Sequence, residues 1–114
     1  MAWEVEYTDE FEVWWNGLNE EEQVEIDRKV HLLEAFGPTL PRPHADVIVQ
    51  SRHPNMKELR GKVKERHLRV LFAFDPRRTA IPLLGGDKSG DPGWYDRFVP
   101  IADELFDQHL RELE

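Results

Sequence analysis

The sequence predicts an α+β domain, with helices packed on one face of a mainly antiparallel sheet. Three observations carry this. Residues 67–75 (HLRVLFAFD) alternate in side-chain character with a period of two, as a strand does. Residues 8–36 and 94–113 instead repeat their apolar side chains at helical spacing. The elements follow in the order strand, helix, helix, three antiparallel strands, helix. A chain of 114 residues fits one domain, 1–114. It is long enough for a core without metal or disulfide staples.

The elements are justified in order. Trp3, Val5 and Tyr7 alternate with Glu4 and Glu6, which reads as a half-buried strand. Thr8 caps a first helix whose Phe11, Trp14, Trp15 and Leu18 fall at i, i+3, i+4 and i+7. Gly17 breaks it. Asn19 starts a second helix with Glu20, Glu21 and Glu22 in its positive first turn, and Glu22 lies where a capping box needs it. Val24, Ile26, Val30, Leu33 and Phe36 form its apolar side, and Gly37-Pro38 stops it. The short connection makes the two helices an antiparallel hairpin.

Residues 38–43 form a loop with three prolines, 45–50 a short extended piece, and 51–55 a turn. Residues 56–60 read as a strand and 61–65 as a charged hairpin loop. In the strand 67–75, Leu68, Val70, Phe72 and Phe74 face the helices, and His67, Arg69, Leu71 and Ala73 face away. Asp75-Pro76-Arg77-Arg78 is a turn, and residues 79–84 return as a strand. Pro82 within it has to sit at a bulge, or where its missing N–H faces no neighbour. Residues 85–93 are a glycine-rich loop. The last helix packs through Phe98, Ile101, Ala102, Leu105 and Phe106, continued by Leu110 and Leu113.

Composition excludes several chemistries. Cysteine is absent, so there are no disulfides, thiolate nucleophiles or thiolate metal sites. The start of the chain lacks a basic region followed by an apolar run, and no apolar run approaches the roughly 20 residues of a membrane span. The expectation is a soluble, cytoplasmic protein. A net charge of −8 argues against general nucleic-acid binding. The charge is uneven, however. Residues 42–97 hold 12 Lys/Arg against 7 Asp/Glu, and the remainder 3 against 16. This describes either a basic face on an acidic body, or acidic helices and lysine-bearing strands kept soluble. The first would meet a polyanion on one side only, with salt-sensitive binding.

Parity sharpens the basic face. Leu59 is the natural core residue of its strand, so Met56, Glu58 and Arg60 point away from the helices. Arg60 and Arg69 then share one open sheet face, reached by Lys88 from the following loop. Arg77 and Arg78 lie at a hairpin end. Convergent Arg and Lys suit phosphate groups. The segment GGDKSG is not a nucleotide-hydrolysing P-loop, since it neither matches that spacing nor opens onto a helix. The five histidines show no metal-ligand spacing, so no metal is expected. Free histidine titrates near working pH, which makes His53 and His67 acid/base candidates, but both read as surface residues.

The segments HPNMKELR, RVLFAFDPRR, LLGGDKSG and ADELFDQHLREL resemble the phage-derived HigB-type branch of the RelE/ParE toxin superfamily. The resemblance covers essentially the whole chain. It implies a RelE-like fold and cleavage of mRNA on translating ribosomes, without metal or cofactor. It also implies a cognate antitoxin, usually with a helix-turn-helix domain, through which alone operator DNA is bound. By this resemblance Arg69 matches the arginine that opens the central strand and stabilises phosphate charge. Arg60 assists, and Lys88 stabilises charge or protonates the leaving oxygen. Tyr95 stacks on a base or polarises the 2′-hydroxyl. Lys57, His67, Arg77 and Arg78 are expected to contact the substrate. The sequence departs from the pattern in one place. Where RelE-like toxins often carry K-x-K-L-R, it reads Met56-Lys57-Glu58-Leu59-Arg60, with Lys57 at the opposite parity. The lysine base is missing, leaving Glu58 or a nearby histidine to replace it. The same fold serves ParE-like toxins, which inhibit DNA gyrase without cutting RNA, and inert members that only bind antitoxin.

Overall fold

The computed structural model describes residues 2–114. Its helices are α1 (Asp9–Asn16), α2 (Glu20–Phe36) and α3 (Trp94–Glu112). Its strands are β1 (Ala45–Val47), β2 (Lys57–Val63), β3 (Arg66–Phe74) and β4 (Ala80–Asp87). Among these residues the sheet is antiparallel throughout, in the order β1-β2-β3-β4.

The helix starts form from local hydrogen bonds. The Thr8 hydroxyl accepts the Phe11 N–H at 3.1 Å and donates to the Leu83 carbonyl at 2.6 Å, so the cap also pins α1 to β4. Asn19 and Glu22 complete the capping box, at 2.8 and 3.0 Å. At the end of α2, Gly37 has φ +57°, and a Cβ there would lie 2.3 Å from the Trp3 indole. Only glycine satisfies both constraints.

The sheet is covered on both faces, which corrects the expectation of helices on one face and an open face opposite. On the first face α1 lies over β4 and α2 over β2, so the hairpin straddles the sheet. Phe11, Ile26, Leu33, Leu59, Leu68, Val70 and Phe72 form the core there. On the second face α3 packs on β3 and β4 above Met56, Leu71, Ala73, Ile81 and Leu83. Leu71 and Ala73 are apolar at the supposedly outward parity. A strand apolar at both parities is one buried on both sides.

Other differences have local causes. Residues 3–7 do not form a full strand. They make one parallel bridge, Val5 to Ala80, along the outer edge of β4 before Thr8 turns the chain into α1. Val24 and Phe36 are 63% and 51% exposed, so α2 buries a narrower stripe than its apolar residues suggest. The β2–β3 pairing continues to Val63 and Arg66, leaving a two-residue turn with Lys64 at φ 54° instead of a five-residue loop. At the free edge, β1 is three residues long. Its Ala45 and Val47 N–H groups are taken by the Pro41 carbonyl and the Asp46 carboxylate, which blunts that edge.

Gly85 and Gly86 belong to β4, not to a loop, and pair with Val70 and Arg69. A Cβ at Gly85 would lie 2.3 Å from the Trp14 indole, and one at Gly86 2.7 Å from that of Trp94. The two glycines are flat beds for two indoles. Gly85→Ala is expected to cost about 1–3 kcal/mol through this crowding, read as a lower urea midpoint. An unchanged midpoint would show that Trp14 moves aside freely. Pro82 sits at a register shift, with Leu71 opposite Leu84 and Phe72 opposite Pro82, as the bulge reading requires.

One buried cation faces the sheet from α2. Lys29 is 5% exposed, and its Nζ lies 2.8 Å from His44 Nδ1. Burial holds the Lys29 ammonium below its ordinary range. Burial, followed by the Lys29 charge, likewise lowers His44. The ring must stay neutral to accept. Unfolded histidine takes a proton near pH 6.5, before the folded ring does. Stability is therefore expected to fall as pH drops from about 6.5 through the lowered folded value. His44→Gln should flatten that slope in urea titrations between pH 7.5 and 5.5. An equally steep slope in the variant would remove His44 as its source.

Candidate polyanion-binding site

The register of β2 and β3 places Arg60 directly opposite Arg69. Like charges facing each other across a ladder repel. The residue that makes this pair tolerable is Glu58, on the same face and only 2% exposed. Its Oε2 accepts from Arg60 Nε at 3.0 Å. Its Oε1 accepts from the Tyr95 hydroxyl at 2.6 Å and lies 3.5 Å from Arg69 Nε. Arg69 Nε also donates to the Tyr95 oxygen at 3.3 Å, and its Nη1 to the Leu68 carbonyl at 3.0 Å. Tyr95 arrives on the first turn of α3, and Lys88 sits with its Nζ 5.9 Å from the Tyr95 ring centre.

A second layer supports Arg60. Its Nη2 donates to Asp46 Oδ2 at 3.1 Å. The same oxygen accepts Arg42 through Nε and Nη2, at 2.9 and 2.6 Å. The Arg42 hydrogen bonds, helped by the Val47 N–H, hold the Asp46 carboxyl below its usual range. Burial, then the hydrogen bond to Glu58, pushes the Tyr95 phenol above its usual value, so it remains a donor at neutral pH. Arg60 Nη1 and Arg69 Nη2 have no hydrogen-bond partner among the described residues. No buried side-chain polar atom is left unpartnered there, so both groups reach solvent.

Of the residues singled out in the sequence, Arg60, Arg69, Lys88 and Tyr95 come together. His67 lies on the same β3 face, two residues before Arg69 and partly exposed. Three others do not join. Lys57 projects to the opposite side of β2, where its Nζ donates to the Pro38 carbonyl at 2.8 Å. Arg77 lies beyond the far end of β3. It forms a bidentate pair with Glu6, at 3.0 and 2.7 Å, and donates through Nε and Nη2 to Asp75 Oδ2, at 3.0 and 2.7 Å. Arg78 stacks over the Trp3 ring at 4.9 Å. His53 is held by Asp107 at 2.7 Å and fastens the 51–55 turn to α3.

Glu58 as hub, and the Asp46–Arg42 support, were not read from the sequence. The signal for Glu58 was available, since it precedes Arg60 by two and shares its face. Asp46 gave none, because it reaches the cluster only through the β1–β2 pairing.

Clefts among the described residues lie elsewhere. One of about 420 Å³ is bounded by Thr8, Arg77 and His109, and one of about 400 Å³ by Phe11, Trp15 and Val30. Neither holds a member of the cluster, whose Glu58 and Arg69 are buried and whose Arg60 is partly exposed. Among the described residues no three His, Asp or Glu side chains gather as metal ligands do, and no helix is long and apolar enough to cross a membrane.

Comparison with known proteins gives three findings. The family described as "Phage derived protein Gp49-like" matches residues 13–107, a span that contains the whole cluster. A Mycobacterium tuberculosis protein named as a toxin, HigB2, is 45% identical over 103 residues, covering 89% of this chain and 51% of that protein. A second, named as the toxin HigB3, is 47% identical over 100 residues, covering 87% of this chain and 86% of the relative. The chain thus spans about half the length of the first relative and most of the second.

Proposed function

The chain belongs to the phage-derived Gp49-like family, and from that premise we propose that it is the toxin of a type II toxin–antitoxin pair that cuts mRNA on the ribosome. The relatives named as toxins support the first half of this reading. The second half rests on one observation, the Arg60–Arg69 pair with an outward N–H group on each member.

RNA cleavage without a metal needs three events. The 2′-hydroxyl loses its proton and bonds to phosphorus, the pentacovalent phosphate is stabilised, and the P–O5′ bond breaks as O5′ gains a proton. Arg60 and Arg69 present solvent-facing N–H groups to the non-bridging oxygens. Lys88 carries a proton on the exposed side of the same cluster and serves the leaving oxygen. Glu58 is poorly placed as the base, because it is buried and both oxygens are occupied. His67, partly exposed on the same face, takes that role. Tyr95 keeps its hydroxyl turned to Glu58 and offers its ring edge to a base.

The partner is a cognate antitoxin with a helix-turn-helix domain, which supplies the contacts to operator DNA that a chain of net charge −8 lacks. Both act in the cytoplasm, where the ribosome is.

A second reading has a specific support. The positions that carry lysines in many RelE-like toxins hold Met56 and Glu58, and both are buried. That favours a ParE-like toxin acting on DNA gyrase. Inducible expression with mapping of mRNA 5′ ends separates the two. Cuts inside translated codons are expected. DNA breaks with intact mRNA would replace the first reading by the second, and an absence of any growth effect would leave an inert, antitoxin-binding member.

A further inference from the structure

The cluster contains more order than a patch of basic residues needs. Arg42, Arg60, Arg69 and Lys88 stand against only two carboxylates, Asp46 and Glu58. Two positive charges remain, which matches the double negative charge of a pentacovalent phosphate. Glu58 holds the members in place. Its two oxygens accept from Arg60 Nε of β2 and from the Tyr95 hydroxyl of α3, and one of them pairs at 3.5 Å with Arg69 Nε of β3, whose N–H donates to the Tyr95 oxygen. Arg60 turns its Nε to this carboxylate, and Arg69 turns its Nε to the Tyr95 oxygen that the carboxylate holds. A guanidinium fixed through Nε is a planar fork whose outer N–H directions are set by that contact.

We propose that Glu58 is a positioning residue of this site: its buried carboxylate locks Arg60, Arg69 and the Tyr95 hydroxyl into a preformed clamp for the reacting phosphate of an RNA chain. The proposal rests on the reading of the protein as an RNA-cleaving toxin. Donors fixed before the reaction act without reorganisation when charge develops. Without Glu58 the two arginines repel across the ladder and swing apart, and the clamp is lost even if each still binds phosphate. The carboxylate does not itself touch substrate. The pair of residues therefore missing at Met56 and Glu58 is replaced in kind: charge is supplied by the arginines, and order by the glutamate.

The test uses the full chain in a reconstituted translation system with a defined mRNA. Glu58→Gln, Glu58→Asp and Tyr95→Phe are compared with wild type. Cleavage rate at saturating ribosome complex, half-saturating concentration and pH–rate profile are measured. Glu58→Gln should lower the saturated rate by about 100-fold, the usual scale for loss of preorganised donors, with little change in half-saturation. Its pH profile should keep the wild-type shape. Glu58→Asp should recover part of the rate. Tyr95→Phe, which keeps the packing but takes a charged hydrogen bond from Glu58, should lose rate and also lower the thermal midpoint. In nitrogen-15 NMR spectra, the Arg60 and Arg69 Nε–H signals should lose their exchange protection in Glu58→Gln.

A folded Glu58→Gln protein cutting at the wild-type rate would overturn the proposal. So would loss of the acid limb of the pH profile, which would make Glu58 the general base. A wild-type protein that cuts nothing overturns the functional reading and this proposal with it.

Discussion

Arg69→Ala is expected to abolish growth arrest on induction, with a loss of cleavage of about 100- to 1,000-fold. The residue sits 9% exposed between Glu58, Tyr95 and the Leu68 carbonyl. Its removal has two effects that need separating. One is the loss of a donor to the phosphate. The other is structural, since Glu58 loses one of its two cations. Breaking a buried pair outright costs about 3–5 kcal/mol. Here Glu58 keeps Arg60 and the Tyr95 hydroxyl, so the cost should approach that of a charged hydrogen bond, about 1.5–3 kcal/mol. Arg69→Lys separates the effects. It keeps the charge beside Glu58 but loses the fork. It should fold with a midpoint near wild type and still fail to cut RNA. The checks are growth after induction, 5′-end mapping and urea midpoints. An Arg69→Lys protein with full toxicity would mean that only charge matters at this position.

Phe72→Ala should give the largest loss of stability, about 3–5 kcal/mol. Phe72 is 1% exposed in the centre of β3, edge-on to Phe74 at 5.9 Å, and in the core beneath α1 and α2. A domain of this size has about 5–15 kcal/mol in all. At about 4 °C per kcal/mol, the thermal midpoint should fall by roughly 12–20 °C. Phe36→Ala is the control. Phe36 reads as core by spacing but is half exposed, so its truncation should stay within about 0.5 kcal/mol. Equal losses from the two would contradict the arrangement of the core described above.

Function divides along the same line as stability. Arg60, Arg69, Lys88 and Tyr95 were legible because strand parity and the order of elements are local facts. Lys57, Arg77 and Arg78 are basic and near the cluster in sequence, but they do not join it. Their actual partners, the Pro38 carbonyl, Glu6 with Asp75, and the Trp3 ring, come from distant parts of the chain. Charge in a sequence does not show whether that charge is already neutralised.

The sequence by itself determined the two helix caps, the period of β3 and the turn after Asp75. Each depends on residues within a few positions of one another. Tertiary structure decided the rest. It placed α3 over the face that parity left open, because Leu71 and Ala73 needed cover. It made Gly85 and Gly86 strand residues, because two indoles lie on them. It set Glu58 between two arginines, because only the β2–β3 register and the start of α3 bring the three together. Hydrogen bonds over a few residues can be read from order alone. Burial and charge pairing depend on what the rest of the chain brings to the same place.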